Sequence, residues 1–143
     1  MKRLKKVRRS TKRANFEWEP AEDIKARTLK LVTQLEMDSV LFERVFFFRS
    51  YGSKARAYAR TWGLPRLWQH ALGVEPAYII EVLSRYFDKL SPEEQDKVIL
   101  HELSHIPKNF SGALVPHTHR RKGSFKDKLD TLIEKYFDNN DNL

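Results

Sequence analysis

The run His101-Glu102-Leu103-Ser104-His105 sets two imidazoles four positions apart, with a carboxylate beside the first. On a helix, residues i and i+4 share a face, so both rings can bind a single metal ion. Glu102 lies next to them and can reach a water on that ion without binding the ion itself. Zinc brings the pKa of a bound water down towards neutral, and a carboxylate at this offset can take its proton during attack on a carbonyl. The same carboxyl, once protonated, can pass the proton to a leaving amine. The chain has no cysteine, so any metal must be held by His, Asp or Glu.

Two histidines do not complete a catalytic site, which needs three protein ligands and an open position. His117 and His119 follow in the stretch Pro116-His117-Thr118-His119. An extended segment would point both the same way, whereas a turn would separate them. His117 is preferred as third ligand because Pro116 stiffens the backbone before it. His119 is the alternative third ligand, or a group that polarises the substrate carbonyl. His70 stands apart in a candidate strand and reads as structural. Arg120-Arg121-Lys122 reads as a solvated basic turn.

These groups need rigid elements to hold them. Ser91-Pro92-Glu93-Glu94 supplies an N-cap serine, a proline at the first helical position and a glutamate for a capping box. A helix is therefore expected over 92–106, ended by Pro107, with Ser111-Gly112 free to reverse the chain. A second amphipathic helix is expected over 20–37, where Ile24, Leu31 and Leu35 recur at turn spacing behind the acids Glu22 and Asp23. A last helix is expected over 124–137. Short β-favouring runs at 45–48, 56–62, 66–71 and 77–82 read as strands, with Gly63-Leu64-Pro65 as a turn between the middle two. The three tryptophans and Phe46-Phe47-Phe48 are expected in the core.

At 143 residues the chain fits one domain, which is expected to span 15–138. A chain of this size can bury roughly two-thirds of the surface that its unfolded form exposes. The formal charge of +8 is uneven. Residues 1–14 hold eight Lys/Arg between Lys2 and Arg13 and no acid, and the remaining chain balances 19 bases against 19 acids. Residues 1–14 read as a disordered basic tail, either merely solubilising or a nonspecific arm for nucleic acid, and 139–143 as a frayed end. No apolar run approaches the ~20 residues that a membrane helix needs. The expectation is a soluble, cytoplasmic protein, monomeric and without a membrane partner.

The stretch Val98-Ile99-Leu100-His101-Glu102-Leu103-Ser104-His105-Ile106-Pro107, with Phe110-Ser111-Gly112 and Pro116-His117 after it, resembles the phage-type metallopeptidases, which are short zincin-like proteins. The resemblance extends back through Ala57-Tyr58-Ala59-Arg60 and Gly63-Leu64-Pro65 to Tyr78-Ile79-Ile80-Glu81-Val82, covering residues 20–137. It implies an α+β fold: a minimal zincin-like domain with a backing helix and a small twisted mixed β-sheet over an active-site helix, and a C-terminal helix. It also implies zinc (Zn2+) on His101, His105 and His117, Glu102 as general base and acid, and a peptide or protein substrate. The substrate would pair with an edge strand, for which 77–82 is the candidate. A more distant similarity is to SprT-like proteases, whose cysteine zinc-ribbon, present in some, is missing here. For the oxyanion, His119, Arg120, Tyr58 and Tyr136 are all candidates.

Two other readings compete. A non-proteolytic metal hydrolase acting on nucleic acid would accord with the basic tail, but YbeY-like ribonucleases resemble His-Gly-x-x-His-x5-His. Here Glu102 fills the second position, and the third histidine lies twelve residues after His105. The other is a nucleic-acid-binding protein with a structural metal site.

Overall fold

The computed structural model describes residues 16–117 and 125–141. The Lys2–Arg13 run, His119 and Arg120-Arg121-Lys122 lie outside the described residues. The elements run β1 (Glu17–Pro20), α1 (Glu22–Gln34), β2 (Val45–Tyr51), β3 (Ala59–Gly63), α2 (Arg66–Leu72), β4 (Tyr78–Leu83), α3 (Ser84–Phe87), α4 (Pro92–Leu103) and α5 (Phe125–Asp141).

The four strands form one mixed sheet in the order β1-β2-β4-β3. The pair β2–β4 is parallel, with Phe47 opposite Ile80, and the two flanking pairs are antiparallel. Strand side chains alternate between faces. Val45, Phe47, Tyr78, Ile80 and Val82 therefore point together to the inner face, where they meet Ile24 and Leu31 of α1 and Ile99, Leu100 and Leu103 of α4. This is the expected α+β architecture, a sheet backed by helices with the motif helix beneath it. Arg49 fastens α1 to β2 through both carboxylate oxygens of Asp23, at 3.0 and 2.9 Å. On the other side of the core, Arg27 of α1 pairs with Asp96 of α4, and the Tyr136 hydroxyl of α5 donates to the same carboxylate.

Three expectations are corrected. Residues 66–71 form the helix α2 rather than a strand. Pro65 precedes its first turn, and Gly73 closes it in the left-handed region (φ 65°), with its N–H on the His70 carbonyl. A left-handed glycine at this position ends helices rather than strands.

The run 77–82 is not an edge. As β4 it has β2 on one side and β3 on the other, and the edges belong to β1 and β3. Hydrophobic patterning fixes which face of a strand is buried but not who its neighbours are.

The tryptophans and Phe46 are not core. Trp18, Trp62, Trp68 and Phe46 are 63%, 49%, 57% and 45% exposed, whereas Phe47 is 5% exposed. Phe46 and Phe48 fall on the outer sheet face by the same alternation that buries Phe47. Among the described residues, no helix is long and apolar enough to cross a membrane.

Candidate metal centre

Helix α4 begins where the sequence places it. The Ser91 hydroxyl accepts from the Glu94 N–H at 3.2 Å, and Pro92 occupies the first helical position. The helix ends at Leu103, earlier than the Pro107 stop suggests, with Ser104 as C-cap. His101 and Glu102 thus lie in the last turn. His105 lies just beyond it, with its N–H still bonded to the Glu102 carbonyl at 3.1 Å. The fourfold spacing survives the helix end: the His101 and His105 rings stand 5.1 Å apart.

The chain then folds back to deliver His117. Phe110 and Gly112 both take positive φ, 47° and 94°. A side chain on Gly112 would also collide with the Leu64 carbonyl oxygen at 2.3 Å. The loop is held from two sides. The buried Tyr78 hydroxyl donates to the Ala113 carbonyl at 2.7 Å and accepts from the Gly112 N–H at 2.8 Å. The Gln69 amide of α2 donates to the carbonyls of Leu64 and Ser111, at 2.8 and 2.9 Å. The Val115 N–H donates to the His105 carbonyl at 2.7 Å, and the Val115 carbonyl accepts from His105 Nδ1 at 2.7 Å. A carbonyl only accepts, so that second bond places the His105 proton on Nδ1 and the lone pair on Nε2.

His101, His105 and His117 converge, with one nitrogen of each within 4.8 Å of the others. His101 Nε2 and His117 Nε2 are 2.9 Å apart. Three nitrogens on one tetrahedral zinc would lie about 3.3 Å from one another, between the 2.9 Å of the closest pair and the 4.8 Å that bounds the trio, so one ion is within reach of all three rings. Burial, reinforced by the charges of His105 and His117, lowers the pKa of His101 to about 4. Its imidazole is therefore neutral at physiological pH, as a ligand must be.

Glu102 is buried beside the trio, 6% exposed. Its Oε2 accepts from the Thr61 hydroxyl at 2.6 Å, and the same hydroxyl oxygen is 3.1 Å from the Glu102 carbonyl oxygen. Burial raises the pKa of this carboxyl, against the opposing pull of Thr61 and of the charge on His117.

The structure therefore brings together four of the sequence candidates: His101, Glu102, His105 and His117. His70 lies exposed on α2, outside the trio. Tyr136 is spent on Asp96, whereas Tyr58 lines the cleft beside His101 and His117. Thr61, Tyr78 and Gln69 were missed. A strand threonine, a strand tyrosine and a helical glutamine carry no local pattern that announces their partners. Only the glycines at 63 and 112 signal the close backbone crossing that they support, since a Cβ on Gly63 would meet the Gly112 carbonyl oxygen at 2.1 Å.

The family model described as "Putative phage metallopeptidase" matches residues 16–134. No curated protein and no solved structure matches the chain.

Proposed function

The chain belongs to the Putative phage metallopeptidase family, and on that premise we propose that it is a zinc-dependent peptidase with His101, His105 and His117 as metal ligands and Glu102 as general base and then general acid. The observation that carries this reading is the convergence of three histidines beside a buried glutamate. The donor set fits zinc: imidazole nitrogens suit it, and three protein ligands leave a position open. Bound there, the ion would supply Lewis-acid activation of a water and of the substrate carbonyl.

The protein's own contributions follow from the geometry. His105 keeps its proton on Nδ1 through Val115 and offers Nε2. Glu102 sits where burial favours its protonated form, so taking a proton from water costs it less than it would cost an exposed carboxylate. The Thr61 hydroxyl holds the carboxylate in one orientation by donating to Oε2. A proton taken up on Oε1 leaves that bond in place, because Oε2 of the neutral carboxyl still accepts from Thr61. Neither heavy atom has to move between the base and acid forms.

The substrate backbone is assigned to the free edge of β3, which replaces 77–82 in that role. Thr61 lies on that strand, so the pairing edge and the general base are one hydrogen bond apart. Tyr58 is the proposed donor to the developing oxyanion, supported by its place in the cleft lining.

The test is metal analysis joined to digestion of an unbiased peptide library. One zinc per chain is expected, with peptide cleavage that disappears on chelation and returns with zinc. His117→Ala should lose the metal and His119→Ala keep it. Cleavage that survives chelation, or cleavage of RNA with peptides left intact, contradicts the reading.

A further inference from the structure

A cleft of about 510 Å³ opens directly onto the candidate metal centre, with His101, Glu102 and His117 in its own lining. Its remaining walls are mostly apolar. Val98 of α4 forms one side, Ala57 and Ala59 the side towards β3, and Leu129 and Ile133 of α5 the side opposite. The volume lies within the range of about 300–1,000 Å³ typical of ligand sites, which are likewise largely apolar with a few placed polar groups.

Lys97 also lines the cleft, but its ammonium is engaged elsewhere: it lies 4.8 Å over the Phe137 ring and 3.7 Å from Glu93. A lysine so drawn presents its hydrocarbon stem to the cavity. A polar side chain placed against Val98, Leu129 and Ile133 would lose its water without gaining a partner.

Helix α5 has two roles in this arrangement. Tyr136 anchors it to Asp96, and Leu129 and Phe137 pack on the core. Ile133 is partly exposed, faces the cleft and is not among the side chains packed on the core. An extended peptide alternates its side chains between two faces. With its backbone along β3, every second side chain points to the inner side, where the cleft lies. A side chain that enters a cavity lined by His101, Glu102 and His117 belongs to a residue next to the bond being cut.

We propose that this cleft is the subsite for a large apolar side chain, of leucine to phenylalanine size, on the substrate residue flanking the scissile bond, with Ile133 of the C-terminal helix as its specificity wall. The proposal rests on the peptidase reading and names the substrate class for it.

The test pairs cleavage with binding. The zinc-loaded parent should cut beside Leu, Ile, Met or Phe at least about tenfold faster, as kcat/KM, than beside Gly, Ser or Asp. Ile133→Trp, which fills the cleft, should reverse that ranking towards Ala and Gly while still cutting the small-residue peptide. Ile133→Ala should relax it towards larger aromatic residues. Zinc content and circular dichroism equal to the parent's show that both variants fold.

Calorimetric titration of zinc-loaded Glu102→Gln with Leu- and Gly-containing peptides reads the cleft without turnover, and at least tenfold tighter binding of the Leu peptide is expected. Cleavage by the parent with no apolar preference, or a preference unmoved by Ile133→Trp, overturns the subsite and leaves the peptidase reading intact. A parent that cuts no peptide, while Glu102→Gln still selects the Leu peptide, overturns the peptidase reading and with it the scissile-bond assignment, leaving an apolar binding cleft.

Discussion

Two glutamates are buried to nearly the same degree, Glu81 at 2% and Glu102 at 6% exposure, yet their surroundings drive them in opposite directions. Glu81 lies on the outer face of β4. Arg60 donates to both of its oxygens at 3.1 and 3.2 Å, and the indole N–H groups of Trp62 and Trp18 add bonds of 2.9 and 3.2 Å. Burial alone would raise its pKa, but the Arg60 and indole bonds outweigh that and hold it below the ordinary carboxylate value. Glu102 has the hydroxyl of Thr61 where Glu81 has a guanidinium and two indoles, and its pKa is raised. The same side chain is thus a fixed charge that pins two exposed tryptophans in one place and a carboxyl drawn towards its protonated form in the other. What separates structure from chemistry here is the number and charge of the donors, not burial.

Substitutions at the two carboxylates and their donors should have opposite effects. Thr61→Val removes the hydroxyl that orients Glu102 and should lower kcat about 10–100-fold with zinc content unchanged, as loss of an outer-shell partner does. Thr61→Ser should restore most of the rate, because it restores the donor. Equal rates in Thr61→Val and Thr61→Ser would show that the bond has no part in turnover.

Glu81→Gln should do the opposite: denaturant unfolding should show a loss of about 1–3 kcal/mol, while activity per folded molecule stays within a few-fold of the parent. A large loss of activity at parental stability would erase the distinction between the two carboxylates.

The two carboxylates should also give metal-free stability opposite pH dependences. Glu81 has a depressed pKa, so its contribution is present above its ordinary value of 4.5 and disappears as pH falls below it. Glu102 has a raised pKa, so its contribution is present below 4.5 and disappears as pH rises through its folded value. His101 is lowered from 6.5 to about 4, so the unfolded chain takes up its proton first, and stability falls as pH drops across that interval. Unfolding midpoints from pH 3 to 8 should therefore show Glu81→Gln losing ground as pH rises towards 4.5 and Glu102→Gln gaining on the parent above 4.5. Parallel profiles would contradict the opposite shifts.

The smallest effect is expected from Trp18→Phe, which removes one donor to Glu81 from an exposed ring. A loss of about 0.5–1 kcal/mol in the same unfolding assay is expected, with activity unchanged.

Much of the site was legible because its signals are local. Ser91 and Pro92 announce the start of α4, the spacing of His101 and His105 follows from helix geometry, and Ser111-Gly112 marks the reversal that brings His117 back. Between His117 and His119 the sequence chooses only weakly, through Pro116. The structure brings His117 to the other two.

What was not legible is lateral. Strand order depends on which strands pair, and β4 went from expected edge to interior for that reason. Trp68 and its neighbours read as strand because bulky apolar residues favour both states, and the deciding feature was the left-handed Gly73. The outer-face tryptophans read as core because nothing near Trp18 or Trp62 in sequence points to a carboxylate 63 or 19 positions away. Thr61 is 41 residues from the group that it orients.

On the proposed reading, Glu102 performs proton transfer in peptide hydrolysis and is not needed to hold the metal. Glu102→Gln keeps the shape of the side chain and one oxygen that can accept from Thr61, but cannot take up a proton. Measured side by side with the parent for zinc content and peptide cleavage, it should retain one zinc per chain and lose cleavage by at least about a thousandfold. Cleavage at the parental rate by zinc-loaded Glu102→Gln would contradict the account.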